Sequence, residues 1–180
     1  NCDHIALARP FIRRGIAVYV EKPLSHNVQE ALTFLEETAD KPVFSLSPLR
    51  LAPSYLKMQE DLAATGEEVL HCHVTVYHTM KFFLEDPVKR WHDDPALSGG
   101  MLTDIGIHGV ELLNMFMPGR IRRVSGVSSK CHYAQAQCED HYALTVEYEK
   151  GAIGTLTLLC ATDRTDYAVE AATLHHTFFN

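Results

Sequence analysis

The sequence has no run of apolar residues approaching the ~18 that a membrane-spanning helix needs. It has no basic cluster larger than the three arginines between Arg120 and Arg123, and its net charge is −7. Nucleic acid and anionic membranes are recognised through clustered cations, so neither is an expected partner. No CxxC pair occurs among the five cysteines, Cys2, Cys72, Cys131, Cys138 and Cys160. That pattern disfavours a structural zinc site or a disulfide framework and suits reduced, partly buried thiols in a cytosolic protein. Internal repeats and low-complexity segments are also missing. What is present is a folded composition: 46% hydrophobic and 22% charged over 180 residues, enough for one ordinary domain or parts of two.

The first fifty residues alternate helix and strand. Asp3 is placed to cap a helix with apolar positions Ile5, Ala8, Phe11 and Ile12, bent at Pro10 and closed by Gly15. Ile16–Val20 is a short continuous apolar run, as expected of a strand buried on both faces. Asn27, with Glu30 in capping-box spacing, starts a second helix whose stripe is Val28, Ala31, Leu32 and Leu35. A strand over Pro42–Leu46 and a helix over Pro53–Ala64, stopped by Gly66, complete this part. The rhythm is that of a doubly wound α/β sheet.

Beyond Gly66 the pattern changes. Val69–His78 alternates as a strand, a loop rich in Asp and Pro covers Asp86–Pro95, and a long helix is predicted from Ser98 to Met117, stopped at Pro118-Gly119. Strands follow over Ile121–Ser128, His141–Glu149 and Ala152–Cys160, the last two joined by a turn at Glu149-Lys150-Gly151, and another over Tyr167–Asn180. The expected fold class is therefore α/β. Residues 1–50 read as the C-terminal end of a Rossmann-type doubly wound domain, and residues 51–180 as an α+β domain with a large, mostly antiparallel open sheet. Both ends read as interior to a fold.

Two segments carry chemistry. Glu21-Lys22-Pro23 follows the Ile16–Val20 strand, and in doubly wound folds the C-terminal strand ends form the ligand crevice; the alternative is a solvated loop. The second is Ser98–Met117, whose only charged or titratable side chains are Asp104, His108 and Glu111. At about 100° per residue these share a narrow arc, with Gly106 and Gly109 on the opposite side, where another element can approach closely. Such a stripe either faces a cleft or forms a satisfied buried network, Asp104 accepting from His108.

Glu-Lys-Pro after a strand, followed by Gly-Gly-x-x-x-Asp-x-Gly-x-His, resembles the glucose–fructose oxidoreductase / inositol dehydrogenase (Gfo/Idh/MocA) family. Arg50, Pro53, Trp91 before the glycine pair, and the Gly151 turn come in the family's order. Met101 stands where a third glycine is common, Glu111 where Asp is commoner, and Leu51 follows Arg50 where an aromatic is usual.

The resemblance implies hydride transfer between NAD or NADP and a sugar-like or polyol substrate. Lys22 takes the place of the catalytic lysine, His108 of the acid/base and Asp104 of the accompanying carboxylate. The Glu21-Lys22-Pro23 segment and Arg50 would lie against the cofactor, and Trp91, Asp104 and His108 against the substrate. The Lys22–Pro23 bond is a candidate cis peptide. A neutral His suits proton abstraction at pH 7, an ammonium suits a developing alkoxide, and a carboxylate one turn away can orient the ring or bind a second hydroxyl. No GxGxxG loop occurs, so the phosphate grip is expected outside this chain and NAD cannot be told from NADP.

His71 and His73 share a strand face and could ligate a metal with His92, Asp93 or Asp94; plain polarity on a sheet face explains them as well, and no metal is expected. His175-His176 reads as loop or edge-strand polarity. The antiparallel sheet is expected to present Tyr142, Leu144, Val146, Leu156 and Leu158 for a homo-dimer or homo-tetramer. A non-catalytic assembly or binding module, and a metal-dependent hydrolase or lyase using Asp104 and His108, are the competing functional classes.

Overall fold

The computed structural model describes residues 1–117 and 119–180. Pro118, expected to stop the long helix, lies outside the described residues. The first elements are α1 (His4–Ile12), β1 (Val18–Tyr19), α2 (Val28–Glu37), β2 (Val43–Phe44) and α3 (Pro53–Thr65). Then come β3 (His71–Thr79), α4 (Lys81–Glu85), α5 (Pro95–Ser98), α6 (Met101–Asp104) and α7 (Gly106–Phe116), followed by β4 (Ile121–Ser129), β5 (His141–Tyr148), β6 (Ile153–Leu159), β7 (Ala161–Ala172) and β8 (Thr177–Phe179). Short 3-10 turns occupy Pro48–Leu51 and Arg90–Asp93.

The α2 cap forms as its chemistry demands: the Asn27 side chain accepts from the Glu30 amide at 3.0 Å. The Glu30 carboxylate does not close a capping box but takes the Ser25 hydroxyl at 2.5 Å, and that same hydroxyl accepts the Asn27 amide at 3.0 Å. β1 and β2 pair in parallel, Val18 against Val43. Ile5, Ala8, Ile12, Val20 and Phe34 form the core beside them.

Two expectations fail here for one reason. The helices cover a single face of this narrow sheet. Tyr19 is therefore 53% exposed rather than buried. Of α2 only Phe34 reaches the core, while Val28, Leu32 and Leu35 of the expected stripe are exposed.

The remaining strands form one six-stranded sheet in the order β4-β5-β6-β3-β7-β8. Every pairing is antiparallel except β3 with β6. The expected terminal strand is two, β7 and β8, and β7 begins at Ala161, earlier than its polar start Thr162–Asp166 suggests. One face of the sheet packs against α3 and α7 through Val74, Val76, Leu156, Leu158, Val146, Tyr55, Leu112 and Phe116. This corrects the expected association surface. Tyr142, Val146, Leu156 and Leu158 are buried and Leu144 is half-buried against the same core, because they sit on the helix side. The other face carries His73, Thr155, Thr145 and Ser125 in one cross-strand row.

The predicted long helix is three pieces. Gly99 and Gly100 have φ of +82° and +86° and turn the chain between α5 and α6; L side chains rarely adopt that conformation. Ile105 then separates α6 from α7. The glycine face of α7 does what its spacing implies. A Cβ at Gly109 would meet Leu156 Cδ1 at 2.4 Å and Val76 Cγ2 at 2.8 Å, so the helix backbone lies directly on the sheet.

Candidate active site

The break at Ile105 builds the site. In an unbroken α-helix the Asp104 carbonyl would receive the His108 amide. Here that amide turns to the Ile105 carbonyl at 3.2 Å. The Asp104 carbonyl instead receives Lys22 Nζ at 2.7 Å, and the same ammonium lies 3.8 Å from Asp104 Oδ1. Lys22 reaches it from the end of β1, through a segment in which the Lys22–Pro23 peptide is cis.

Asp104 is 2% exposed. Its Oδ2 receives His92 Nδ1 at 2.5 Å and its Oδ1 receives Asn1 Nδ2 at 3.2 Å. Burial alone would raise this carboxyl. The His92 bond, the Lys22 charge and the Asn1 amide outweigh it and hold the group below the usual carboxylate range. Asp104 therefore anchors His92, and His108 has a different partner: its Nδ1 lies 3.1 Å from the Ser47 hydroxyl. A proton on Nδ1 directed at Ser47 would leave Nε2 as the free base. The His108 ring meets Tyr167 edge-on, centroids 5.6 Å apart. Burial and then the Lys22 charge push His108 down to about 4, against an opposing pull from Asp104. The ring is neutral at pH 7.

That shift has a consequence for stability. An unfolded chain protonates His108 near its ordinary value of about 6.5, and the folded chain resists protonation until about 4. The unfolded state then binds the extra proton, so stability falls as pH drops from about 6.5 toward 4 and is unaffected above that window. His78, also pushed down by burial, adds to the same slope. Urea unfolding between pH 7 and pH 4.5 should show it, and His108→Gln should reduce the slope to the part His78 contributes. A wild-type curve flat over that range contradicts the assignment.

The remaining expected site residues divide. Trp91 lies beside the site, stacked on His92 with centroids 3.7 Å apart. Arg50 is paired with Glu111, Nη1 to Oε1 at 2.7 Å, so the third titratable residue of the stripe holds an arginine at the rim. Glu21 is exposed, its carboxylate accepting the Lys22 amide at 3.3 Å. His71 and His73 stay on the sheet face, where His73 bonds to the Thr155 and Thr75 hydroxyls at 2.6 and 2.8 Å. Among the described residues no three His, Cys, Asp or Glu side chains are gathered as a metal needs. Sequence reasoning missed Ser47 and the role of His92. The one available signal for the second was a histidine next to Trp91 just ahead of the glycine pair.

The fold and this site define the class of protein. Residues 66–173 match the model of the GFO/IDH/MocA C-terminal domain, and the chain belongs to that family. Among curated proteins it is similar to "D-xylose 1-dehydrogenase (NADP(+)) 2" of Haloferax volcanii, 24% identical over 169 residues, 93% of this chain and 50% of that protein. Among solved structures it is similar to GenD2 from gentamicin A biosynthesis in complex with NAD, with a TM-score of 0.86, 24% identity, and coverage of 99% of this chain and 51% of that one. An NAD binding oxidoreductase from Klebsiella pneumoniae gives a TM-score of 0.85 at 22% identity, over 99% of this chain and 51% of that one. The chain thus spans about half the length of the relatives it matches.

Proposed function

We propose that the chain is part of an oxidoreductase that moves a hydride between NAD or NADP and an alcohol or ketone carbon of a sugar or polyol. The observation that carries this reading is the Lys22–Asp104 contact, which joins the Glu-Lys-Pro segment to the Asp/His helix. The donor set fits the chemistry: one held ammonium, one carboxylate and one imidazole that is neutral at pH 7. Residues 1–50 serve as the end of a dinucleotide-binding domain, and residues 51–180 as part of the substrate and association domain. Glu21, Lys22 and Pro23 would hold the nicotinamide end, with Arg50 at the rim. When bound, the cofactor supplies the hydride acceptor or donor.

The chain's own residues do the rest. In oxidation, His108 Nε2 takes the substrate hydroxyl proton as the carbon gives up its hydride. Lys22 has three N–H donors. Asp104 occupies the side facing the helix, leaving a donor for the substrate oxygen as negative charge develops there. Trp91 gives the substrate an aromatic wall. The protein is further proposed to work in the cytoplasm as a homo-dimer or homo-tetramer, associating through the sheet face opposite α3 and α7.

The intact protein, assayed against a panel of aldoses and cyclic polyols with each nicotinamide cofactor, should reduce NAD or NADP with at least one of them. Cofactor binding without turnover on any alcohol would instead favour the non-catalytic module.

A further inference from the structure

His92 is more constrained than a wall residue needs to be. Phe83 stacks on its ring with centroids 4.1 Å apart and Trp91 with centroids 3.7 Å apart. Its Nδ1 is directed at Asp104 Oδ2, 2.5 Å away. The neighbouring residue fixes its backbone: Asp93 is fully buried, and its carboxylate accepts the amides of Gln137 and Cys138 at 3.0 Å each, pinning the Arg90–Asp93 turn to the loop before β5. Two stacks, one charge-assisted bond and a braced backbone leave the imidazole a single orientation.

Among the described residues the imidazole's one hydrogen-bond partner is the carboxylate that also lies against Lys22. A buried carboxylate with one oxygen undirected could rotate away from the ammonium. With Oδ2 held by His92, Oδ1 is turned toward Lys22 Nζ and Asn1 Nδ2. The linkage runs His92 to Asp104 to Lys22, across three separate stretches of chain.

We infer that His92 is a positioning residue which, through Asp104, fixes the Lys22 ammonium at the crevice. This deepens the proposed function, because it assigns the orientation of the group that would meet the substrate oxygen. His92 itself need not touch the substrate. Its donor nitrogen, and not its bulk, carries the role, since Asn places an amide N–H near the position of Nδ1 whereas Phe keeps the stack and loses the bond.

Two readouts on the intact protein test this. The first needs no turnover: brief acetylation with acetic anhydride, Lys22 being quantified by mass spectrometry. His92→Phe should raise the Lys22 acetylation rate about three- to tenfold, the usual worth of one hydrogen bond, and His92→Asn should leave it near the native value. In an Asp104→Asn background, His92→Phe should add nothing further. The second readout is kinetic. His92→Phe should lower kcat about 10- to 100-fold, the range for a lost bond to a charged group, with cofactor affinity within about twofold, and His92→Asn should recover most of the loss.

Unchanged Lys22 acetylation in His92→Phe overturns the inference, as does an Asn variant as impaired as the Phe variant. Should His92→Phe fail to fold, His92→Gln, whose amide falls at the other ring nitrogen's place, takes over its part in both readouts. If the intact protein oxidises no alcohol, the functional proposal fails, while the acetylation result still decides the linkage.

Discussion

Replacing His108 by alanine in the intact protein should lower turnover by about two to four orders of magnitude, the usual worth of a positioned acid/base. Lys22→Ala should cost a similar factor, as removal of a charge stabiliser at the reacting oxygen does. Both effects should fall on kcat, with cofactor affinity little changed, because neither residue is placed to grip a pyrophosphate. The two losses should not add fully, since Lys22 contributes to keeping His108 unprotonated. The acid limb of kcat/KM should lie well below pH 6, following a base pushed down to about 4. Steady-state kinetics over pH 4.5 to 9 with a saturating cofactor would show this. Near-normal turnover of His108→Ala across that range would remove His108 from the proposed chemistry.

The largest expected effect on stability is at Asp140, far from Lys22 in sequence. Its side chain is fully buried, and its oxygens accept the amides of Cys131, His132 and Tyr133 at 2.7, 2.9 and 2.8 Å. Burial would raise this carboxyl, but the amides hold it down to about 2. Its contribution is therefore present above its ordinary value of 3.8 and is lost as pH falls through about 2. Asp140→Ala strands three amides in a site shaped around an anion. The three bonds are part-buried, with Cys131 and His132 themselves exposed, so at about 0.5–1.5 kcal/mol per lost bond the variant should lose about 2–4 kcal/mol. Urea unfolding would measure it. A loss under about 1 kcal/mol would mean that solvent replaces the carboxylate without penalty. Amide hydrogen exchange should quicken first in the loop before β5, which Asp140 and Asp93 hold together from opposite sides.

The meeting of Lys22 with Asp104 was more legible in the sequence than the packing. Lys22, Asp104 and His108 stand out because an ammonium at a strand end, and a titratable stripe on an apolar helix, are hard to accommodate without a cleft. The strand order of the large sheet, by contrast, is set by the parallel pairing of β3 with β6, which no local pattern encodes. The Val28–Leu35 stripe misled because a helix beside a two-stranded sheet meets little surface, and Phe34, one position off the stripe, is the residue that reaches it. The His92–Asp104 bond spans twelve positions. It depends on the turn that Gly99 and Gly100 impose, so reading it required the backbone and not the residue types alone. Assigning Asp104 to orient His108 was the natural inference from helical spacing, and the interruption at Ile105 together with the Ser47 hydroxyl undoes it.

The seating of α7 on bare backbone has an implication for how this protein can diversify. With no side chain between Gly109 and the pair Leu156 and Val76, the seating of α7, and with it the position of His108, rests on two buried aliphatic residues. A bulkier residue at either core position would lift α7 and shift His108 with it. The stretch around Trp91 and the loop that Asp93 and Asp140 tether are free of that constraint. Core and candidate site are, in this molecule, one mechanical block, and change is easiest at its margins.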